Sequence, residues 1–137
     1  MGIGALRRGY LGGPIINYES DAKGRKEGGM KKGYWVVAYR SISDASAVKA
    51  YGALAVPAVQ SFGGRFLTMS ASPMQAHEAG LQQPTVLVEF DSYDIARSAH
   101  ESEAYQKALQ ALGSGAERDV RIVEGVLVKD KRGRESN

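Results

Sequence analysis

The sequence has no cysteine. Disulfides, thiolate metal sites and cysteine nucleophiles are thereby excluded, and the chain must hold itself together by its core alone. At 137 residues it has the size of one ordinary domain. Such a domain buries roughly two-thirds of the surface its unfolded form exposes, which is enough. No run approaches the ~20 apolar residues that span a bilayer. Arg7 and Arg8 lie near the N-terminus, but Leu11 to Ile16 is short and broken by Gly12, Gly13 and Pro14. No signal peptide is read, and a cytoplasmic location without a membrane partner is expected. Histidine is scarce as well: His77 and His100 are the only two. No His-x-His or His-x-x-x-His spacing supports a metal, so none is expected. Gly2-Ile3-Gly4 and Gly12-Gly13 follow no strand and open no helix, so no phosphate loop is supported. No Gly-x-Ser-x-Gly elbow occurs. No cofactor is expected.

The basic balance, 18 Lys and Arg against 15 Asp and Glu with a pI near 9.2, first suggests nucleic acid. The distribution argues otherwise. Residues 1–32 carry a net +4, residues 33–128 a net −3 and residues 129–137 a net +2. A nucleic-acid module needs its basic face on the folded surface, and here the middle of the chain is mildly acidic. No nucleic-acid partner is expected.

Residues 1–30 are glycine-rich, crowd Lys23, Arg25, Lys26 and Glu27 together, and show no apolar period of 2 or 3.6. Such a segment buries too little apolar area to offset its ordering entropy, so it is read as a flexible N-terminal extension. A folded domain is expected over 31–128 and a charged, frayed C-terminal tail over 129–137. Tyr34 to Arg40 reads as the first strand, with aromatic and β-branched residues on both faces. Ser43 or Asp44 caps a helix whose stripe is Val48, Tyr51, Ala55, Ala58 and Phe62. Pro57 predicts a kink or break in it, and Gly63-Gly64 its end. Arg65 to Met69 reads as a second strand, followed by a turn and a short return strand near Gln75 to Glu78. Thr85 to Phe90 alternates as a third strand. Ser92 caps a helical region to about Ala111, broken near Glu101 and recapped by Ser102. Val120 to Val128 is the last strand.

This βαββαβ order predicts an α+β, ferredoxin-like domain: a four-stranded antiparallel sheet with two helices on one face. The other face is left bare and largely apolar, which predicts a partner, most simply a second copy forming a homodimer through the sheet face.

Candidate chemical groups are few. Glu89 stands between Val88 and Phe90. An acid in apolar surroundings can serve as acid or base, or can simply pair with Arg40, Arg65 or Arg121. Tyr105 can place its hydroxyl at a pocket mouth, or its ring can pack on the sheet while Ser102 caps the helix. His77 can titrate near neutral pH. Glu89, Tyr105 and His77 are therefore the catalytic candidates. Trp35, Tyr39, Arg65, Glu89 and Tyr105 are the candidates for lining a ligand pocket, with core or dimer interface the plainer role for Trp35 and Tyr39.

Six motifs in order carry a resemblance. They are Gly33-Tyr34-Trp35; Tyr51 with Pro57; Phe62-Gly63-Gly64-Arg65-Phe66; Val88-Glu89-Phe90; Ser102-Glu103-x-Tyr105-Gln106; and Ile122-Val123-Glu124-Gly125. Over residues 31 to 128 the chain resembles the family known as domain of unknown function 1330 (DUF1330). The resemblance implies a dimeric α/β barrel, in which two ferredoxin-like sheets pack face to face. Gly113 departs from similar sequences, which often carry an arginine after the leucine at the position of Leu112; the nearest arginine here is Arg118. Two functions then stand side by side. One is an enzyme, cofactor-free, transforming a small apolar molecule in a pocket between sheet and helices. The other is a non-catalytic ligand-binding or structural homodimer.

Overall fold

The computed structural model describes residues 31–129 and 135–136; the N-terminal extension read over 1–30 lies outside them. β1 (Gly33–Ile42) is the central strand. It pairs antiparallel with β3 (Thr85–Phe90), Gly33 opposite Phe90 and Ala38 opposite Thr85. On its other edge it pairs antiparallel with β4 (Ala116–Glu124), Gly33 opposite Glu124 and Ile42 opposite Ala116, with an irregularity between Tyr39 and Ser41. β2 (Arg65–Phe66) adds to the free edge of β3, giving the order β2-β3-β1-β4. Among the described residues three helices cover one face: α1 (Ala45–Ser61), α2 (Tyr93–Glu101) and α3 (Glu103–Leu112), with α3 packed along α1 and α2 against the strands.

Period-2 alternation sorts the side chains. Trp35, Val37 and Tyr39 of β1 face the helices and are buried, as are Val88 and Phe90 of β3. Trp35 is the hub. Its ring lies 5.2 Å from Phe90 and 4.9 Å from Tyr105, and its Nε1–H donates to the Ala96 carbonyl at 2.8 Å. A buried indole keeps its one donor satisfied in this way.

The caps follow the sequence. Asp44 accepts from the backbone N–H groups of Ser46 and Ala47, Ser92 from Ile95, and Ser102 from Tyr105. Gly63 and Gly113 take positive φ angles of 76° and 52° where α1 and α3 stop.

Four details depart from the sequence reading. Pro57 does not break α1, which runs through it to Ser61. Ala53 and Pro57 both lie on the exposed side of α1, so water can take the carbonyl that proline leaves unpaired. β2 is only two residues long. The N–H groups of Leu67 and Thr68 both turn to the Leu87 carbonyl, and Thr68 Oγ1 takes the Leu87 N–H. No return strand forms at 75–78, because Gly80 N–H closes a turn on the His77 carbonyl and Glu78 adopts a φ of 55°. β4 runs Ala116–Glu124, beginning and ending four residues earlier than the expected Val120 to Val128, because it follows β1 along its whole length and stops opposite Gly33. In the tail, Val128–Lys129 (β5) pairs with Glu135–Ser136 (β6).

The other sheet face is uncovered among the described residues, and it is also more polar than the sequence suggested. Val36 and Leu87 sit opposite each other, but charged clusters flank them. Arg65 bonds Glu89, and Arg40 and Arg121 both bond Asp119.

Two glycines test the packing. A Cβ on buried Gly33 would run into the Ser92 carbonyl and lie 2.6 Å from Tyr93 Cα, both backbone atoms that cannot yield cheaply. A Cβ on Gly52, inside α1, would meet nothing within 4 Å. In urea unfolding, Gly33→Ala is expected to cost about 1–3 kcal/mol. Gly52→Ala is expected to stabilise by about 0.5–1 kcal/mol, because alanine loses less backbone entropy in a helix.

Candidate functional site

Between α1 and the helix-facing side of the sheet lies a cavity of about 150 Å³. The sheet supplies Trp35, Val37, Tyr39, Val86 and Val88; α1 supplies Val48, Tyr51, Ala55 and Val59; Phe66 and Met69 close one side. The space is comparable to a cavity that admits one benzene ring. Its walls are mostly aromatic and branched aliphatic, with Ser70 at one side, and among the described residues its one charged lining residue is Arg118 of β4.

Arg118 reaches this wall by parity. It stands opposite Tyr39, as Val120 stands opposite Val37 and Ile122 opposite Trp35. All three β4 residues therefore point to the helices. The Arg118 guanidinium lies 4.6 Å from the Tyr51 ring centre and 5.5 Å from that of Tyr39, within cation–π range of both. Its Nη1 donates to Tyr51 Oη at 3.0 Å and its Nη2 to Tyr105 Oη at 3.4 Å, and the two phenolic oxygens are 2.7 Å apart. Among the described residues no carboxylate forms a salt bridge with Arg118. Burial works against its charge, but the phenolic oxygens of Tyr51 and Tyr105 more than compensate, and its pKa is raised. Burial, reinforced by Tyr105, pushes Tyr51 well above the ordinary phenol value, so at neutral pH it is a neutral donor. Tyr39 is raised too, by burial, with the charge of Arg118 opposing.

The structure gathers some of the residues singled out from sequence and scatters others. Trp35 and Tyr39 line the cavity. Tyr105 is buried behind it: its ring packs on Trp35 while its hydroxyl completes the cluster with Tyr51 and Arg118. Glu89 and Arg65 are not part of the cavity. Glu89 pairs with Tyr34 across the ladder, not with a helix-facing residue, so its side chain is on the uncovered face. There it accepts from Arg65 Nε at 3.1 Å and from Tyr34 Oη at 3.1 Å. The expected arginine partner is present, and the cavity is on the other side of the sheet. His77 lies exposed in the loop before β3, its ring within hydrogen-bonding distance of the Gln75 side chain. It does not line the cavity. Among the described residues no three His, Asp or Glu side chains are grouped as a metal site would need.

Sequence reading missed Arg118 and Tyr51 as partners. Tyr51 was visible as a member of an apolar stripe and of one family motif, neither of which points its hydroxyl at an arginine. Arg118 was two residues outside the expected strand; extending the alternation of Val120 and Ile122 back one step would have turned it inward.

His100 adds a pH-sensitive neighbour. Its ring is half-buried, 5.2 Å from Tyr105 and 5.8 Å from Trp35. Burial lowers its pKa from 6.5, the charge of Arg118 lowers it further, and Glu101 opposes. The unfolded chain therefore takes up this proton first as pH falls. The stability contributed by neutral His100 is complete above about 6.5 and is lost as pH drops through 6.5 toward the lowered folded value. Thermal melting of wild type is expected to weaken more between pH 7.5 and 5.5 than that of His100→Asn. Equal slopes would show that His100 is not held neutral.

Comparison with known proteins adds the fold's relatives. The crystal structure of RPA0582, a protein of unknown function from Rhodopseudomonas palustris, superposes with a TM-score of 0.56 at 17% identity, over 85% of this chain and 97% of that one. The methylated RPA0582 protein superposes with a TM-score of 0.56 at 15% identity, over 82% and 93% of the two chains. At these identities the likeness is one of fold. No curated protein matches the sequence. The sequence pattern of the family described as domain of unknown function (DUF1330) matches residues 32–126, and the chain belongs to that family.

Proposed function

We propose that this chain is a small-molecule-binding domain that works as a homodimer of ferredoxin-like subunits, arranged as a dimeric α/β barrel. The observation that carries the binding reading is the cavity itself: a ring-sized, mostly apolar space between the sheet and α1, with Arg118 and Tyr51 at one wall and the Tyr105 hydroxyl bonded to both from behind. Ligand sites are typically built this way, mostly apolar with a few fixed polar groups. The strand order β2-β3-β1-β4 with helices on one face supports the ferredoxin-like assignment. The uncovered face, with Val36 and Leu87 at its middle and half-exposed Leu67 and Val123, supports a second copy there. Its charged pairs would form a polar rim around that contact. Packing through this face leaves each subunit's cavity intact on the helix side. Binding does not require turnover, and the cluster of one arginine and two phenols serves a binder or an enzyme equally.

Two measurements test the two halves of this reading. Light scattering at micromolar concentration is expected to return twice the 14.7 kDa chain mass, from an interface burying at least ~1,000 Å² in total. A clean monomer mass would sink the dimer. For the cavity, the single tryptophan, Trp35, is a built-in reporter on the wall. Benzyl alcohol is expected to change its fluorescence saturably in wild type and not in Gly52→Leu, where a side chain fills the open space beside α1. An unchanged response in Gly52→Leu would move the ligand elsewhere.

A further inference from the structure

The geometry points to a specific ligand class: we infer that the cavity takes a small monocarboxylate, its carboxylate on Arg118 and Tyr51 and its apolar body, no larger than one six-membered ring, against Trp35 and Tyr39. This rests on the binding reading above and deepens it.

The argument is a count of protons and charges. A guanidinium offers five N–H donors and no acceptor, and each tyrosine offers one O–H. Arg118 donates to the oxygens of both Tyr51 and Tyr105, so neither phenol can return a proton to it. One O–H is used between the two tyrosines. The other O–H has no acceptor within the cluster, and three guanidinium N–H groups have none there either. The cluster therefore holds more donors than acceptors, and a ligand that suits it brings acceptors. The raised pKa of Tyr51 keeps its proton in place as a donor at neutral pH.

Charge narrows the class. Among the described residues Arg118 is the only charged one lining the cavity, and no carboxylate forms a salt bridge with it. One fixed positive charge in a largely apolar wall favours one negative charge. A phosphate monoester, which carries up to two negative charges near neutral pH, would leave excess charge desolvated. A planar guanidinium matches a carboxylate in two parallel bonds. Volume narrows it again, since about 150 Å³ leaves room for a single ring or a short branched chain.

The test uses three probes of one size and different charge, benzoate, benzyl alcohol and benzylammonium, titrated at pH 7.5 with Trp35 fluorescence as readout. In wild type the expected order of affinity is benzoate, then benzyl alcohol, then benzylammonium, with benzoate ahead of benzyl alcohol by about tenfold or more. In Arg118→Gln the benzoate advantage is expected to disappear while benzyl alcohol binding persists. Tyr51→Phe is expected to shrink the advantage without abolishing it. If benzyl alcohol binds wild type as well as or better than benzoate, or if benzoate keeps its advantage in a folded Arg118→Gln, the carboxylate assignment falls and the binding cavity stands. If none of the three probes binds, the cavity reading falls and takes this inference with it. Should Arg118→Gln fail to fold, the order of the three probes on wild type alone decides.

Discussion

Side chains alternate across a strand with a period of two, and in β1 that alternation is locked from both edges. Trp35 is held opposite Val88 on one side and Ile122 on the other. A slip of β1 by one residue against both neighbours would turn Trp35, Val37 and Tyr39 away from the helices and bring Tyr34, Val36 and Ala38 inward. Everything of chemical interest follows from this register. It aims Arg118 at the cavity, because Arg118 stands opposite Tyr39. It aims Glu89 away from it, because Glu89 stands opposite Tyr34. Two charged groups that look equivalent in sequence, each an odd charge among strand residues, thus end on opposite sides of one sheet.

Their surroundings differ accordingly. Glu89 meets a conventional partner, the Arg65 guanidinium, near solvent, where such pairs contribute little to stability. Arg118 is held by phenolic oxygens and ring faces, which solvate a cation without cancelling its charge. A cation so placed keeps its field directed into the apolar space beside it. That difference, more than the identity of any one residue, separates a surface ion pair from a recognition group. The same field reaches His100 behind Tyr105, where it adds to burial in keeping the imidazole neutral.

Much of this architecture was legible in the sequence. The alternation in Thr85 to Phe90, the caps at Ser92 and Ser102, the cap at one of Ser43 and Asp44, and the glycine stop at 63 each rest on a local cause, a backbone preference or a side chain reaching its own helix end, and local causes survive folding. Trp35 and Tyr39 could be named for the cavity because an aromatic strand covered by helices must pack against something large. The segments that went differently are those without a local signal. The two-residue β2 depends on how Thr68 meets Leu87 across the sheet edge, and the turn at 77–80 replaces a strand that had no neighbour to pair with.

The sequence by itself determined the element order, the helix ends and which residues alternate together. Only the tertiary structure decided which alternating set faces the helices near each strand end, and therefore which charged side chain enters the cavity. The Arg118 cluster joins α1, α3 and β4, with Tyr51 and Arg118 67 residues apart in the chain. No periodicity within one element can encode such a meeting. It is set by the register of β4 on β1 and by the packing of α1 along α3, which bring phenol, phenol and guanidinium within hydrogen-bonding distance only once the core has closed.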